Sequence, residues 1–334
     1  MQKGSPKMND RLIVSNSPHI HTPEDIPWIM RQVIYALIPG AFVGVYFFGI
    51  PALSVIFLSV VMCMIAEASM QKIMGKAITI RDGSAAVTGL LLAMNLPSGA
   101  PWWLVMLGAW IAIVLGKQIY GGLGNNPFNP ALVARVFLLI AFPVHMTTWP
   151  QPRIFPLSLA DTTTGATPLG ALKTALFSYG KIGDVGKISL MDPFLGNVGG
   201  SLGEISALAL LVGGGYLIIK KIISWHIPIV YIGTVIVLTG LFWLINPEMY
   251  ASPFFHLVCG GLVLGAFFMA TDMVTSPITN KGKIIFAAGC GIITVVIRLW
   301  GGYPEGVSFA ILIMNGVVPL INRYTQPVKF GGGK

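Results

Sequence analysis

Charge is the scarcest feature of this 334-residue sequence, because Asp, Glu, Lys and Arg together make up only 10% of it. Soluble domains carry about 25% charged residues, so this content is too low for a surface that faces water. Hydrophobic residues make up 54%, and apolar runs near the length of a bilayer crossing recur along the whole chain. The composition therefore excludes an ordinary soluble protein and predicts an all-α polytopic membrane protein.

Cysteine is also scarce. The three cysteines, Cys63, Cys259 and Cys290, lie in separate apolar segments, and the sequence contains no CxxC pair. Neither an iron–sulfur cluster nor a zinc site is indicated, so we expect small apolar packing residues and no metal ligand.

The net charge of +9 is the kind of value that nucleic-acid-binding proteins show. Here, however, the basic residues flank apolar spans, as orientation in a membrane requires. We therefore expect membrane lipid as a partner and no nucleic acid.

The apolar runs predict about ten membrane spans. They lie at about 33–50, 52–70, 84–96, 102–118, 128–143, 203–220, 227–245, 255–271, 283–299 and 306–322. The third is short and is closed by Pro97 and Pro101, which favours a broken or half-penetrating helix that lines a cavity.

The positions of Lys and Arg predict the orientation of these spans. With the N-terminus inside, the inner segments hold 15 of the 21 basic residues. The outer segments hold Arg153, Lys173, Lys181 and Lys187, all in one loop. The positive-inside rule then makes both termini cytoplasmic and the loop extracytoplasmic.

A weak internal repeat divides the chain further. Gly89-Leu-Leu-Leu and Gly261-Leu-Val-Leu open similar blocks, each followed by an aromatic-Gly-Gly turn, at Tyr120 and at Trp300. If each half contains an odd number of spans, the second half is inverted relative to the first, as in many transporters. The alternative is that the two blocks look similar only because both are rich in glycine. The predicted parts are a cytoplasmic segment 1–32, a first helical repeat 33–143, a loop 144–202, a second helical repeat 203–322 and a cytoplasmic tail 323–334.

The loop carries the string Asp161-Thr162-Thr163-Thr164-Gly165-Ala166-Thr167-Pro168. Its composition predicts a turn, in which Gly165 permits an unusual φ, Pro168 sets the exit and successive amides form a nest for an anion.

This string resembles the attachment signature of covalent flavoproteins, in which FMN is joined through its phosphate to the last threonine by a flavin transferase. That threonine is Thr167 here, and Thr162 departs from the small residue expected after the aspartate. The resemblance implies cofactor-binding residues at Asp161, Thr164, Gly165, Ala166 and Thr167.

Over essentially its whole length the chain resembles the NqrB/RnfD family, through its spans, the stretch from Gly121 to Ala131 and the flavin loop. The resemblance implies an electron-transfer subunit of the Rnf complex in the bacterial inner membrane, with the A, B, C, E and G subunits as partners. That complex couples electron flow from reduced ferredoxin to NAD with Na⁺ or H⁺ translocation. Riboflavin, bound without a covalent link, is a further implied cofactor, and the sequence does not place its contacts.

Two alternatives remain open at this point. The first is an NqrB-type subunit of an NADH:quinone reductase, although such subunits carry a longer N-terminal extension and the size here favours the RnfD branch. The second is a solute channel or transporter of inverted-repeat type, suggested by the repeat and the many small residues.

Several polar residues in or near spans have both a structural and a functional interpretation. Glu67 and Asp272 are candidates for the cation path, while Arg135 either pairs with one of them or faces a flavin. The structural alternative for these three residues and Arg298 is that each forms a salt bridge between helices or extends its charged group to the membrane interface. We expect His145, His226 and His256 to be interfacial residues.

The run from Asn125 to Pro130 opens the fifth span. An Asn before a proline at the start of a helix predicts an N-cap. The alternative is a cofactor or ion contact at the positive helix terminus.

Overall fold

The computed structural model describes residues 25–156, 163–179 and 191–326. Regular structure in these ranges is mostly helical: α1 (Ile26–Ile73), α2 (Ser84–Met94), α3 (Trp102–Ile113), α4 (Pro130–Ala141), α5 (Pro143–Met146), α6 (Pro168–Tyr179), α7 (Met191–Leu195), α8 (Ala207–Ile219), α9 (His226–Ile245), α10 (Pro253–Val258), α11 (Leu262–Leu264), α12 (Asn280–Trp300) and α13 (Val307–Tyr324). A 3₁₀ turn (Ile80–Asp82) precedes α2, and π-helical turns (Val114–Gln118 and Gly265–Met269) extend α3 and α11. Two short strands, β1 (Trp149–Pro150) and β2 (Thr164–Gly165), pair antiparallel.

Among the described residues, four helices are long and apolar enough to cross a membrane, namely α1, α9, α12 and α13. The shorter apolar segments are α2, α3 with its π-helical turn, α4 and α8. The chain is therefore a helical, membrane-embedded polytopic protein, as its composition predicts.

Helix α1 contains the first two predicted spans in one 48-residue segment. The sequence predicts a turn near Pro51, but the structure places a single non-helical residue at Gly49, with φ 61° and ψ −142°, and no loop follows it. Glycine adopts this φ without steric cost, and Pro51 lies in the first turn of the second half, where a missing N–H is harmless. The helix also starts earlier than predicted, because the Asp25 side chain caps it by accepting from the Trp28 N–H at 2.9 Å.

Helix α2 and the α10–α11 segment both lack a continuous helix of membrane-spanning length. Helix α2 has 11 residues, so it is about 16 Å long, which is half of a bilayer core and agrees with the short third segment. The eighth predicted span, 255–271, is not one continuous helix: α10 ends at Val258, Gly260 has a φ of +79°, and α11 starts at Leu262.

The end of α2 meets the segment just before α8. The N–H of Gly203 donates to the Met94 carbonyl at 2.7 Å, and the N–H of Leu202 donates to the Leu96 carbonyl at 3.1 Å. These bonds bring the end of α2 and the beginning of α8 together inside the molecule.

The described part of the long loop contains regular structure and is attached to α1. Between 144 and 202 the described part contains the two strands and the helices α6 and α7. It is anchored on the break in α1, where Arg153 N–H donates to the Phe47 carbonyl and Phe155 N–H to the Tyr46 carbonyl, both at 2.9 Å. The break frees these carbonyls from helical bonds, so the loop satisfies them.

Candidate functional site

Thr167 is the residue immediately before α6, and it caps that helix. Its Oγ1 accepts a hydrogen bond from the Gly170 N–H at 3.0 Å, while its carbonyl accepts one from the Ala171 N–H at 2.8 Å. Pro168 then occupies the first helical position, where its fixed φ suits the helix. The turn predicted from composition is therefore a helix start, and the Thr-Pro pair was the signal for it.

The residues before Thr167 form one side of a small hairpin. Trp149 pairs with Gly165 and Pro150 with Thr164, and the Gln151 N–H donates to the Thr163 carbonyl at 2.9 Å. Because this hairpin precedes the helix directly, it fixes the position of Thr167 relative to the rest of the loop.

The other residues of the predicted cofactor site are distributed along this hairpin. Thr164 and Ala166 are exposed, and Asp161 lies outside the described residues. Gly165 does not adopt the unusual φ that the sequence suggests; it is extended, and a Cβ there would lie 2.0 Å from the Gln151 amide nitrogen. The glycine therefore accommodates a neighbouring side chain rather than a sharp turn.

Helix α6 docks on the second half of the chain. Leu169 and Leu172 are buried against Ala251, Phe255 and Cys259 in a small apolar cluster. Leu169 also packs closely against Gly260. If Gly260 carried a Cβ, this atom would lie only 2.6 Å from Leu169 Cδ1. The helix that carries Thr167 at its start is thus packed directly on the interruption between α10 and α11.

Lys173 connects α6 to the end of α12 through hydrogen bonds. Its Nζ donates to the Ile297 carbonyl at 3.1 Å and to the Tyr303 carbonyl at 2.8 Å. Burial lowers the pKa of the Lys173 ammonium, because desolvation disfavours the charged form. The two carbonyls, one of them from the last turn of α12, supply the compensating negative dipoles.

A cavity of about 180 Å³ lies beside Thr167. Its wall includes Trp149 and Tyr303, which present aromatic surface, and its polar groups include Arg135 and Glu305. Thr167 itself is only 5% exposed, so its side chain is enclosed by the cavity wall and by the packing of α6.

Arg135 is the centre of a buried charged cluster at this cavity. Its Nη1 donates to Asn95 Oδ1 at 2.5 Å, and its Nη2 donates to Glu204 Oε1 at 3.2 Å and also to Glu305 Oε2. Of the alternatives that the sequence left open for Arg135, the pairing with Glu67 or Asp272 is not formed, whereas the salt-bridge alternative is confirmed with other partners. Glu204 lies before α8 and Glu305 before α13, so contacts remote in sequence determine the partners.

Arg298 stabilises the interruption of the eighth segment. Its guanidinium donates to the His256 carbonyl at 2.5 Å and to the Cys259 carbonyl at 3.3 Å, both of which belong to the end of α10.

The expectation of an interfacial His256 is wrong, since this side chain is 1% exposed; His145 is exposed and His226 half-buried.

A second polar region surrounds Lys117 and Glu67. Their side chains form a salt bridge of 2.6 Å, and Gln118 and Ser84 join it through bonds of 2.9 Å and 2.6 Å. Lys117 also lines a separate cavity of about 100 Å³, together with Asn126, Asn129, Asp272, Phe267 and Phe268.

The predicted N-cap at the fifth segment is confirmed. The Asn129 side chain accepts from the Ala131 N–H at 3.1 Å and from the Leu132 N–H at 3.3 Å at the start of α4. Asn126 is different, because its buried Oδ1 has no partner within the ranges that the structure describes. The unpaired oxygen lies beside the cavity, so it is available for a ligand contact. This keeps open the alternative of a cofactor or ion contact in the run from Asn125 to Pro130.

Comparisons with known proteins agree with the resemblance seen in the sequence. Residues 13–331 match the model of the NQR2, RnfD, RnfE family. The chain is 50% identical over 321 residues to the D subunit of the proton-translocating ferredoxin:NAD(+) oxidoreductase complex of Clostridium ljungdahlii, covering 95% of this chain and 96% of that one. It is 48% identical over 328 residues to the D subunit of the Na(+)-translocating ferredoxin:NAD(+) oxidoreductase complex of Acetobacterium woodii, covering 97% of each.

A third relative, the D subunit of the ion-translocating oxidoreductase complex of Stutzerimonas stutzeri, is 45% identical over 326 residues and 91% of each chain. The family match spans the segments that form the loop, the cavity and the charged cluster described above. The chain therefore belongs to the NQR2, RnfD, RnfE family.

Proposed function

We propose that this chain is the membrane-embedded D subunit of an Rnf-type complex, that it transfers electrons and that it carries FMN joined by a phosphoester to Thr167. The complex couples electron flow from reduced ferredoxin to NAD with the translocation of Na⁺ or H⁺. The observation that carries the flavin assignment is the position of Thr167, at the N-terminus of α6 and on the wall of a cavity.

The start of α6 suits a phosphoester. A phosphodiester keeps one negative charge, and the N-terminus of a helix favours an anion through its free N–H groups and its dipole. Trp149 and Tyr303 give the cavity beside Thr167 flat apolar walls. These residues would hold the ring system, and the bound flavin would supply the redox chemistry.

A covalent bond also has a physical purpose at this place. The loop is extracytoplasmic in the proposed orientation, so a flavin that dissociated would be lost to the outside medium. The attachment keeps the ring close to its electron partners, and the docking of α6 through Leu169, Leu172 and Lys173 fixes the attachment point. Helix α6 would thus hold the covalently attached flavin at a fixed place.

The second cavity is a candidate place for the non-covalently bound riboflavin. Phe267 and Phe268 offer aromatic surface, and Asn126, Asn129 and Asp272 offer polar groups near them. The unpaired Oδ1 of Asn126 supports a ligand contact there, because a buried acceptor without a partner costs free energy.

The proposed topology follows the sequence analysis. About ten spans in two inverted halves place both termini in the cytoplasm and the flavin loop outside the bacterial inner membrane. The short α2 and the interrupted α10–α11 segment support this arrangement, because they contain the two glycine-leucine blocks of the repeat. The proposed partners are the A, B, C, E and G subunits, and a flavin transferase during maturation.

The attachment is tested by coexpressing the chain with a flavin transferase and measuring in-gel flavin fluorescence after denaturation. We expect fluorescence from the wild type and none from Thr167→Val. The matched control is Thr174→Val, which removes a hydroxyl from the wall of the same cavity and should keep the fluorescence. A fluorescent Thr167→Val chain would rule out this attachment site.

An NqrB-type role is the second candidate, because the matching family model covers that branch too. Purification of the native complex and assay of both reactions separate the two. Ferredoxin-dependent reduction of NAD supports the Rnf assignment. NADH:quinone activity in a complex that does not reduce NAD with ferredoxin would instead favour the NqrB-type role. The three relatives described above are all D subunits of ion-translocating oxidoreductase complexes, which favours the first outcome.

A further inference from the structure

The proposed phosphoester bond at Thr167 does not itself involve the buried charges that line the same cavity. Arg135 and Glu305 both line that cavity, and Glu204 lines a smaller neighbouring one that Thr167 also lines. Arg135 is 5% exposed and Glu204 6% exposed, so their charges act in a medium that screens poorly. Two carboxylates on one guanidinium are costly to bury, which calls for a purpose beyond packing.

We propose that Arg135 and Glu305 bind the pyrimidine edge of the flavin ring attached at Thr167, and that the charge of the Arg135–Glu204–Glu305 cluster sets the ring's reduction potential. This inference rests on the proposed attachment of FMN. It makes Arg135 and Glu305 ligand-contacting residues and Glu204 a positioning residue that acts through Arg135.

Hydrogen-bonding chemistry supports the contact. The pyrimidine edge of the isoalloxazine ring presents a carbonyl, an N–H and a second carbonyl in a row. Arg135 has five N–H groups, of which three have partners among the described residues, so donors remain for a carbonyl. Glu305 uses Oε2 for Arg135, and its other oxygen can accept from the ring N–H.

The cluster also holds the guanidinium in place. Asn95 is fully buried, and its Nδ2 donates to the Leu91 carbonyl at 2.7 Å, which fixes the Oδ1 that accepts from Arg135. Glu204 holds the other arm of the guanidinium at 3.2 Å. With both arms anchored, Arg135 cannot turn away from the cavity when the charge of the ring changes.

The electrostatic consequence has a definite sign for each residue. When the ring takes up one electron from a reductant, it gains negative charge before any proton follows. The positive charge of Arg135 stabilises that state, and the negative charges of Glu204 and Glu305 destabilise it. Removal of the arginine should therefore lower the reduction potential, while neutralisation of either glutamate should raise it.

The test is a redox titration, with dithionite as reductant, of the full chain coexpressed with a flavin transferase. Arg135→Gln should shift the one-electron equilibrium at least tenfold toward the oxidised ring, which is about 59 mV. Glu305→Gln and Glu204→Gln should shift it the other way, and Arg135→Lys should lie between Arg135→Gln and the wild type. The matched control is Arg31→Gln, the same change at an exposed position near the start of α1, and it should leave the potential unchanged.

In-gel fluorescence of each variant separates the possible failures. Opposite shifts in fully flavin-loaded variants support the inference. Unchanged potentials, or shifts of all variants in one direction, would overturn it and leave the attachment at Thr167 standing. A wild-type chain without fluorescence would overturn both.

Discussion

Lys117 and Glu67 form a salt bridge of 2.6 Å with both side chains 1% exposed. The second oxygen of Glu67 has no partner within the described ranges. Gln71 and Gln118 also donate to the bonded oxygen, at 3.3 Å and 2.9 Å. The pair joins the end of α1 to the π-helical turn after α3, and both charged side chains lie inside the protein.

Lys117→Met should destabilise the chain strongly. Removal of the lysine leaves a buried carboxylate without an opposite charge, at a cost of about 3–5 kcal/mol. Thermal unfolding of the purified chain in detergent measures this as a lower Tm. The double variant Lys117→Met with Glu67→Gln should recover part of the loss, and a double variant that loses the sum of the two single effects would show that the residues are not coupled.

Lys173→Met should loosen α6 from α12. The substitution keeps the apolar stem and removes both hydrogen bonds, to the Ile297 and Tyr303 carbonyls. Limited proteolysis should then cut the loop between 144 and 202 several-fold faster than in the wild type. Lys220→Met, at an exposed position after α8, is the control and should not change the rate; equal rates for both variants would mean that Lys173 does not hold the helix.

Gly89→Ala should disturb the contact between α1 and α2. A Cβ at Gly89 would lie 2.7 Å from Val60 Cα and 2.9 Å from the Ser59 carbonyl, both backbone atoms that cannot turn aside. Overpacking of this kind typically costs about 1–3 kcal/mol. Gly215→Ala in α8 is the matched control, because no atom lies within 4 Å of that Cβ position. A Tm for Gly89→Ala as high as that of the control would contradict the close packing.

Single-cysteine labelling tests the orientation. A membrane-impermeant maleimide added to intact cells should label Thr164→Cys, and it should label Lys72→Cys only after permeabilisation, since both positions are exposed and lie on opposite sides in the proposed topology. The native Cys63, Cys259 and Cys290 are at most 1% exposed, so the background should be low. Labelling of Lys72→Cys in intact cells would reverse the orientation.

The sequence predicts the parts of the fold that local patterns determine. Apolar runs locate the helical segments, and Asn129 before Pro130 identifies an N-cap that the structure confirms. The helix α6 was missed, although Thr167-Pro168 followed by an apolar and polar mixture is a helix-start pattern. The same string also favours a turn with Pro168 at its exit, which is the interpretation given above.

The partners of Arg135 could not be derived in the same way. Glu204 and Glu305 are 69 and 170 residues away from it, and no periodicity relates such positions. One signal was present, because Glu204 is a charged residue inside the predicted sixth span, where charges are costly and usually paired. Choosing its partner requires the three-dimensional contact between the ends of α2, α4 and α8.

Peptide mass spectrometry of the loop from the native complex tests the central claim most directly. The account predicts that the peptide containing Thr167 carries the added mass of FMN joined through its phosphate, and that fragmentation places the mass on Thr167. An unmodified peptide, or an FMN adduct on a different residue of the loop, would contradict it.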